Sequence, residues 1–170
     1  NLEIISGGNS ANYEWFKSCQ NVGRINNIRL GESILLGCET VSRKAIPGLH
    51  TGAFQLVAEV IESKKKPSLP FGEIGQDAFG NTPSFQDRGI HRRVIIALGN
   101  QDATPTSLHF DNKLKLLGSS SDHIIMDSKY DSIKVGDEVR ASLNYGGLLS
   151  TMNSPFIRKY FTDCNGYTAI

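Results

Sequence analysis

Charge imbalance, paired cysteines and long apolar runs are all scarce in this chain, and each scarcity removes a class of function. Eighteen Lys and Arg stand against 17 Asp and Glu, a formal net charge of +1. The two signs are interspersed, so no basic footprint points to nucleic acid or to an anionic membrane. A small-molecule partner is the better default. The three cysteines, Cys19, Cys38 and Cys164, are widely separated and fall in no C-x-x-C or Cys/His spacing of a zinc site. That usage fits a reducing cytoplasm. No apolar run approaches the roughly 20 residues of a spanning helix. Nor does a basic start with an apolar stretch and cleavage site open the chain. A soluble, unexported protein is expected.

At 170 residues the chain can bury a real core as one domain, or as a domain with an appended piece. Leu2 to Ile5 is an apolar, strand-like run almost at residue 1, with no turn or cap chemistry before it, as though the chain starts inside a fold. Ser6-Gly7-Gly8-Asn9-Ser10 reads as a tight turn. Ala11 to Cys19 has helical spacing of Trp15, Phe16 and Cys19, and Ile28 to Gly37 reads as a second strand closed by glycine. The result is a βαβ pattern with parallel strands. Beyond residue 50 the texture becomes β-branched and alternating. Strands are expected at 54–61, 92–98, 114–117, 123–126 and 138–143, between Gly, Pro, Asn, Asp and Ser clusters. Lys134 to Glu138 reads as the turn entering the last of these. Lys64-Lys65-Lys66 before Pro67 reads as a solvated turn rather than a nucleic-acid patch.

Two turns can carry chemistry. Gly8, Asn9 and Ser10 lie between strand and helix, where free backbone N–H groups and a serine hydroxyl suit an anion. An ordinary strand-to-helix turn also selects Gly, Asn and Ser, for steric and capping reasons. About twenty residues on, Arg29, Gly31 and Glu32 mark a second turn. In βα barrels the phosphate site is commonly built from the loops after two neighbouring strands, at the face where active sites lie.

With these residues in view, the sequence resembles the C-terminal half of the fold-type III pyridoxal-phosphate (PLP) racemases, the alanine racemase superfamily, and most of all its ornithine racemase branch. The stretches that carry the resemblance are SGGNSAN (6–12), GRINNIRLGESILLG (23–37), GEIGQDAFGN (72–81), DRGIHRRVIIALGNQD (87–102), LLGSSSDHIIMD (116–127) and LNYGGLLSTMNSP (143–155). It implies an α+β chain: the last βα units of a PLP-binding TIM-type barrel over residues 1–45, then an all-β C-terminal domain over 46–170.

The resemblance also implies roles. Ser10 falls where a serine hydroxyl meets the cofactor phosphate, and Gly31 with Glu32 where backbone N–H groups complete that cradle, beside Gly8 and Asn9. Arg29 falls where an arginine faces the pyridine nitrogen. A permanent cation there keeps the nitrogen unprotonated, weakening the electron sink and favouring racemisation over side reactions. The competing account is a surface arginine paired with Glu32 or Asp127. Tyr145 falls where a tyrosine hydroxyl reaches the phosphate, with a buried structural tyrosine as the alternative. Ser121 and Asp122 fall in a segment that one subunit of a homodimer places near the other's amino-acid substrate. His123 beside them reads as structural.

Two departures stand out. The family's Schiff-base lysine lies on the first barrel strand, and none of this chain's ten lysines sits in the expected place, so the chain alone is expected to be inactive. Where alanine racemase has a tyrosine base, this sequence has Asn100, whose amide does not titrate. Asp102, His91 or Asp77 can supply the role, and the catalytic candidates are therefore Asp102, Asn100 and Asp122. Alanine is thereby disfavoured as substrate. A non-catalytic PLP-binding protein and a stand-alone β-module for dimerisation are the rival readings.

Overall fold

The computed structural model describes residues 1–76, 80–163 and 166–169, with backbone alone for 163 and 166–169. Asp77 and Cys164 lie outside the described residues. The chain divides into two compact units, Asn1–Phe54 and Gln55–Ile170.

In the first unit the two glycine-bearing turns are neighbours. A single parallel bridge joins Ser6 to Asn27, flanked by hydrogen bonds from Gly7 N–H to Asn27 O (2.8 Å), Asn26 N–H to Ile5 O (3.0 Å) and Arg29 N–H to Gly8 O (3.0 Å). The parallel relation is present, but residues 2–5 form no strand, and Leu2 and Ile4 are 77% and 70% exposed. Parallel strands are stable when both faces are covered, and Leu2 and Ile4 are left uncovered by the described residues. After the first turn, a 3-10 turn over Ser10–Asn12 leads into α1 (Tyr13–Ser18), where a helix is expected.

The second strand-like run is a helix instead, α2 (Glu32–Leu36). Gly31 occupies its N-cap position, Glu32 places a carboxylate in the first turn, and Gly37 ends it at φ 66°, in the left-handed region. The apolar run 34–36 is too short for periodicity to separate strand from helix, and the flanking glycines decide the matter.

The second unit is mostly sheet. Six strands, β1 (Leu56–Pro67), β2 (Ile90–Ile96), β3 (Leu108–Phe110), β4 (Leu114–Ser119), β5 (Ile124–Ser128) and β6 (Glu138–Leu143), pair in the order β3-β6-β1-β2-β5-β4. Every pairing is antiparallel. Leu56, Ala58 and Val60 alternate inward along β1 and meet Val94, Ile96, Ile124 and Met126 in the core, where Val60 and the last four are at 0% exposure. Each such side chain contributes about 1.5–3 kcal/mol relative to an exposed one. A β7–β8 hairpin (Tyr160–Asp163 and Gly166–Ala169) and a helix, α3 (Tyr145–Asn153), follow.

The triple lysine is not a turn. It lies within β1, where Lys64 and Lys66 bond Glu62 at 2.8 and 2.5 Å, and it faces Arg93, Arg92 and His91 across the ladder. Glu62 offsets the like charges brought together by that register. The 134–138 turn is present as expected, with Gly136 at φ 89° and Lys134 N–H donating to Asp137 at 2.9 Å.

Candidate functional site

In the first unit Ser10 joins the two turns. It is 7% exposed, and its Oγ accepts from the backbone N–H groups of Gly31 and Ser33, each at 3.3 Å. Gly31 has no side chain to cap α2, so Ser10 performs that function from the other turn, satisfying N–H groups that a helix start leaves open. The Ser10 hydroxyl proton has no acceptor among the described residues. Asn9 is occupied differently: its side chain caps the 3-10 turn through Ala11 N–H at 3.0 Å, reciprocated by Asn12. Gly8 is held at φ 132°, and an added Cβ would stand 2.2 Å from the Asn12 amide oxygen, so this turn needs glycine on both grounds. Around Gly31, by contrast, a Cβ would meet nothing within 4 Å, leaving open room beside its N–H.

Arg29 is exposed and, among the described residues, has neither ion pair nor side-chain hydrogen bond. The pairings anticipated for it belong to others. Glu32 pairs with Arg43, and Asp127 lies 3.3 Å from both Arg88 and His91. Arg43, at φ 60°, is presented by a turn built on Glu39. That carboxylate is 3% exposed and accepts from the Ser42 hydroxyl and from the N–H groups of Val41, Ser42 and Lys44. The Ser42 hydroxyl foremost, then these backbone donors, outweigh burial and lower its pKa to about 2. A fixed anion thus shapes the loop that holds Arg43 against the first turn of α2.

The second unit brings Asn100 and Asp122 together. Asn100 N–H and Gln101 N–H donate to Ser120 O and Ser121 O at 3.0 Å. The Asn100 amide donates to Ser119 Oγ at 2.7 Å and Ser120 O at 2.9 Å. Asp122 is exposed and accepts from Ser121 Oγ at 2.5 Å. Asp102 is 6% exposed, and both carboxylate oxygens are engaged, by Ser154 Oγ at 2.9 Å and by Gly99 N–H at 3.3 Å. That geometry anchors the loop after β2. His91 stands at the opposite end of β2, with its ring nitrogens at Asp127 and at the Arg88 carbonyl. His123 is exposed, and its N–H closes the 120–123 turn on Ser120. Tyr145 opens α3, 39% exposed, behind the Asn144 cap, whose side chain accepts from Gly147 N–H at 2.9 Å.

Sequence reasoning missed Ser33. It is 0% exposed, and its hydroxyl has no hydrogen-bond partner among the described residues. No signal for it was available, because the run 28–37 reads as a strand in sequence. Ser119, Ser120 and Ser154 were missed too, since a serine's partners are read from space and not from spacing. Among the described residues no cluster of His, Cys, Asp or Glu suits a metal, and no helix is long and apolar enough to cross a membrane.

The Ser10 hydroxyl, whose proton has no acceptor among the described residues, can donate to an anion such as a phosphate. No protein-family model matches the chain. Over more than nine-tenths of its length, however, it is a homologue of amino-acid racemases. It is 45% identical over 161 residues to ornithine racemase of Acetoanaerobium sticklandii, covering 93% of this chain and 46% of that protein. To lysine racemase of Thermotoga maritima it is 41% identical over 163 residues, covering 95% and 46%. The chain thus spans about half the length of the curated relatives it matches. The fold is similar to that of alanine racemase from Clostridium difficile 630 in complex with cycloserine, with a TM-score of 0.59 at 20% identity over 95% of this chain and 46% of that one.

Proposed function

We propose that the intact protein is a PLP-dependent amino-acid racemase, and that this chain contributes the last βα units of its TIM-type barrel together with its C-terminal β-domain. The observation that carries the reading is the Ser10 cradle. The buried Ser10 hydroxyl accepts from the N–H groups of Gly31 and Ser33 at 3.3 Å, which leaves its own proton to donate, beside open room at Gly31. A hydroxyl so polarised suits a phosphate, which offers acceptors alone. Homology to the ornithine and lysine racemases supports the reaction class and favours a basic amino acid as substrate.

When bound, PLP supplies the electron sink that makes the substrate Cα–H acidic. In this reading Ser10 and Gly31 hold the phosphate, with Gly8, Asn9 and Glu32 shaping the two turns. Arg29, with no carboxylate partner among the described residues, would serve as the permanent cation at the ring nitrogen. Tyr145 is assigned to the phosphate on the resemblance alone. Asn100 and Asp122, held in one loop cluster, face substrate, and Asp102 positions that cluster. Assembly as a homodimer with shared sites and a cytoplasmic location complete the reading; cysteine usage supports the second.

The test is absorbance followed by borohydride reduction. The intact protein is expected to show a PLP band and, after reduction and proteolysis, a modified lysine that is none of the ten in this chain. The 170-residue chain alone is expected to give no adduct and no racemisation. A stoichiometric adduct on Lys17 or Lys44 would overturn that division.

A further inference from the structure

We infer that Arg43 is a positioning residue for the cofactor site, acting through Glu32, whose carboxylate it withdraws from both the phosphate and Arg29. The inference rests on the PLP reading above. Glu32 is awkwardly placed in a turn that is to hold an anion. It lies between Gly31 and Ser33, the two residues whose N–H groups meet Ser10 Oγ. Its side chain is 20% exposed, so solvent screens it only in part. Left unpaired, that carboxylate repels a phosphomonoester dianion. It also follows Arg29 by three residues and is a ready partner for a guanidinium. An Arg29 captured in that way is lost to the ring nitrogen. In the structure Glu32 is bound instead by Arg43, and Arg29 has no ion pair among the described residues.

The placement of Arg43 is built rather than incidental. At φ 60° it is the one non-glycine residue in the left-handed region among the described residues. That conformation costs free energy in an L-residue and persists where the surroundings over-determine it. Here they do. Glu39 N–H to Lys44 O and Ile46 N–H to Gly37 O, both 2.9 Å, close the loop. Inside it the Glu39 carboxylate, 3% exposed, accepts from the N–H groups on both sides of Arg43, those of Ser42 and Lys44. An ordinary surface ion pair, worth little by itself, needs no such scaffold. Backbone strain maintained at Arg43 points to a use for its side chain, and the only carboxylate it meets is that of Glu32.

The experiment titrates the intact apoprotein with PLP, following absorbance, in wild type, Arg43→Gly, Glu32→Gln and the double variant. Glycine is chosen because it suits φ 60°, so the loop keeps its path and the apoprotein melting temperature is expected to stay close to wild type. Arg43→Gly is expected to bind PLP about ten-fold more weakly, the effect of one uncompensated charge beside a dianion. That deficit is expected to shrink as salt is raised. Arg43→Lys, which keeps the cation without the planar fork, is expected to fall between the two. In the Glu32→Gln background, removing Arg43 is expected to change the affinity by less than about two-fold, because no carboxylate remains to be withdrawn. Wild-type affinity in Arg43→Gly would overturn the inference. So would a ten-fold loss that persists in the Glu32→Gln background, which marks a direct contact of Arg43 with the cofactor or a misshapen loop. A wild-type protein that binds no PLP at all overturns the racemase reading itself, and this inference with it.

Discussion

Gly99 is the residue at which one added carbon does most to the Asn100–Asp122 cluster. A Cβ there would stand 2.1 Å from the Ser121 carbonyl oxygen and 2.4 Å from the Asp122 amide nitrogen, where real Cβ contacts essentially never fall under 3.0 Å. Because both obstructing atoms are backbone, Gly99→Ala must push the 119–122 loop back by about 1 Å. The hydrogen bonds from Asn100 N–H to Ser120 O and from Gln101 N–H to Ser121 O, both 3.0 Å now, do not survive that displacement. Two backbone hydrogen bonds at about 1 kcal/mol each add to an overpacking cost of about 1–3 kcal/mol. The reduced freedom of alanine in the unfolded chain returns about 0.4–1 kcal/mol, so the steric terms win and a net loss of about 2–4 kcal/mol remains. In a chain of this size that lowers the melting midpoint by roughly 5–15 °C. Calorimetry reads the midpoint, and amide hydrogen exchange at residues 100 and 101 reads the loop. A midpoint within about 2 °C of wild type, with exchange protection intact, would refute the argument that these loops are locked by close backbone contact.

Three further substitutions probe the site. Ser10→Ala removes both the cap of α2 and a phosphate donor, so PLP affinity in the intact protein is expected to fall by about ten- to a hundred-fold, measured by absorbance titration; an unchanged affinity would remove Ser10 from the cradle. Asp102→Asn keeps the planar shape of the carboxylate but replaces one acceptor oxygen, so we expect the melting midpoint to fall by a few degrees with activity largely kept. Loss of activity by three or more orders of magnitude in a folded variant would make Asp102 a proton-transfer group instead. Glu39→Gln tests the anion beneath Arg43. The folded pKa of about 2 lies below the ordinary value of 4.5, so the carboxylate stabilises the fold above pH 4.5 and loses that contribution as pH falls towards 2. The difference in stability between wild type and Glu39→Gln is therefore expected to narrow across that window in acid titrations followed by circular dichroism, and a pH-independent difference would contradict it.

The core strands β1, β2, β5 and β6 are legible in sequence because the alternation of Leu56, Ala58 and Val60 and the β-branched runs around Val94 and Ile124 are local signals. The βαβ reading of residues 1–40 is half right for a physical reason. The parallel contact between the two turns depends on backbone hydrogen bonding near Gly7 and Gly8, whereas the identity of residues 32–36 depends on Gly31 and Gly37 overruling a short apolar run. Helix α3 is not anticipated in sequence, because Gly146 and Gly147 lower helix propensity; Gly147 is packed against Ser107, where an added Cβ would stand 2.8 Å from the carbonyl oxygen. At the site, the types and order of Ser10, Arg29 and Gly31 are visible in one dimension. The isolation of Arg29, the engagement of both Asp102 oxygens and the unpaired Ser33 hydroxyl are facts about neighbours, and spacing does not encode them.

The most direct test of the account is chiral chromatography of L-ornithine, L-lysine, L-alanine and L-serine incubated with the intact, PLP-loaded protein. We expect the D-enantiomer to accumulate fastest from ornithine or lysine, with alanine far slower, since the resemblance puts Asn100 where alanine racemase has a titrating phenol. A protein that binds PLP and racemises none of the four would contradict the central claim.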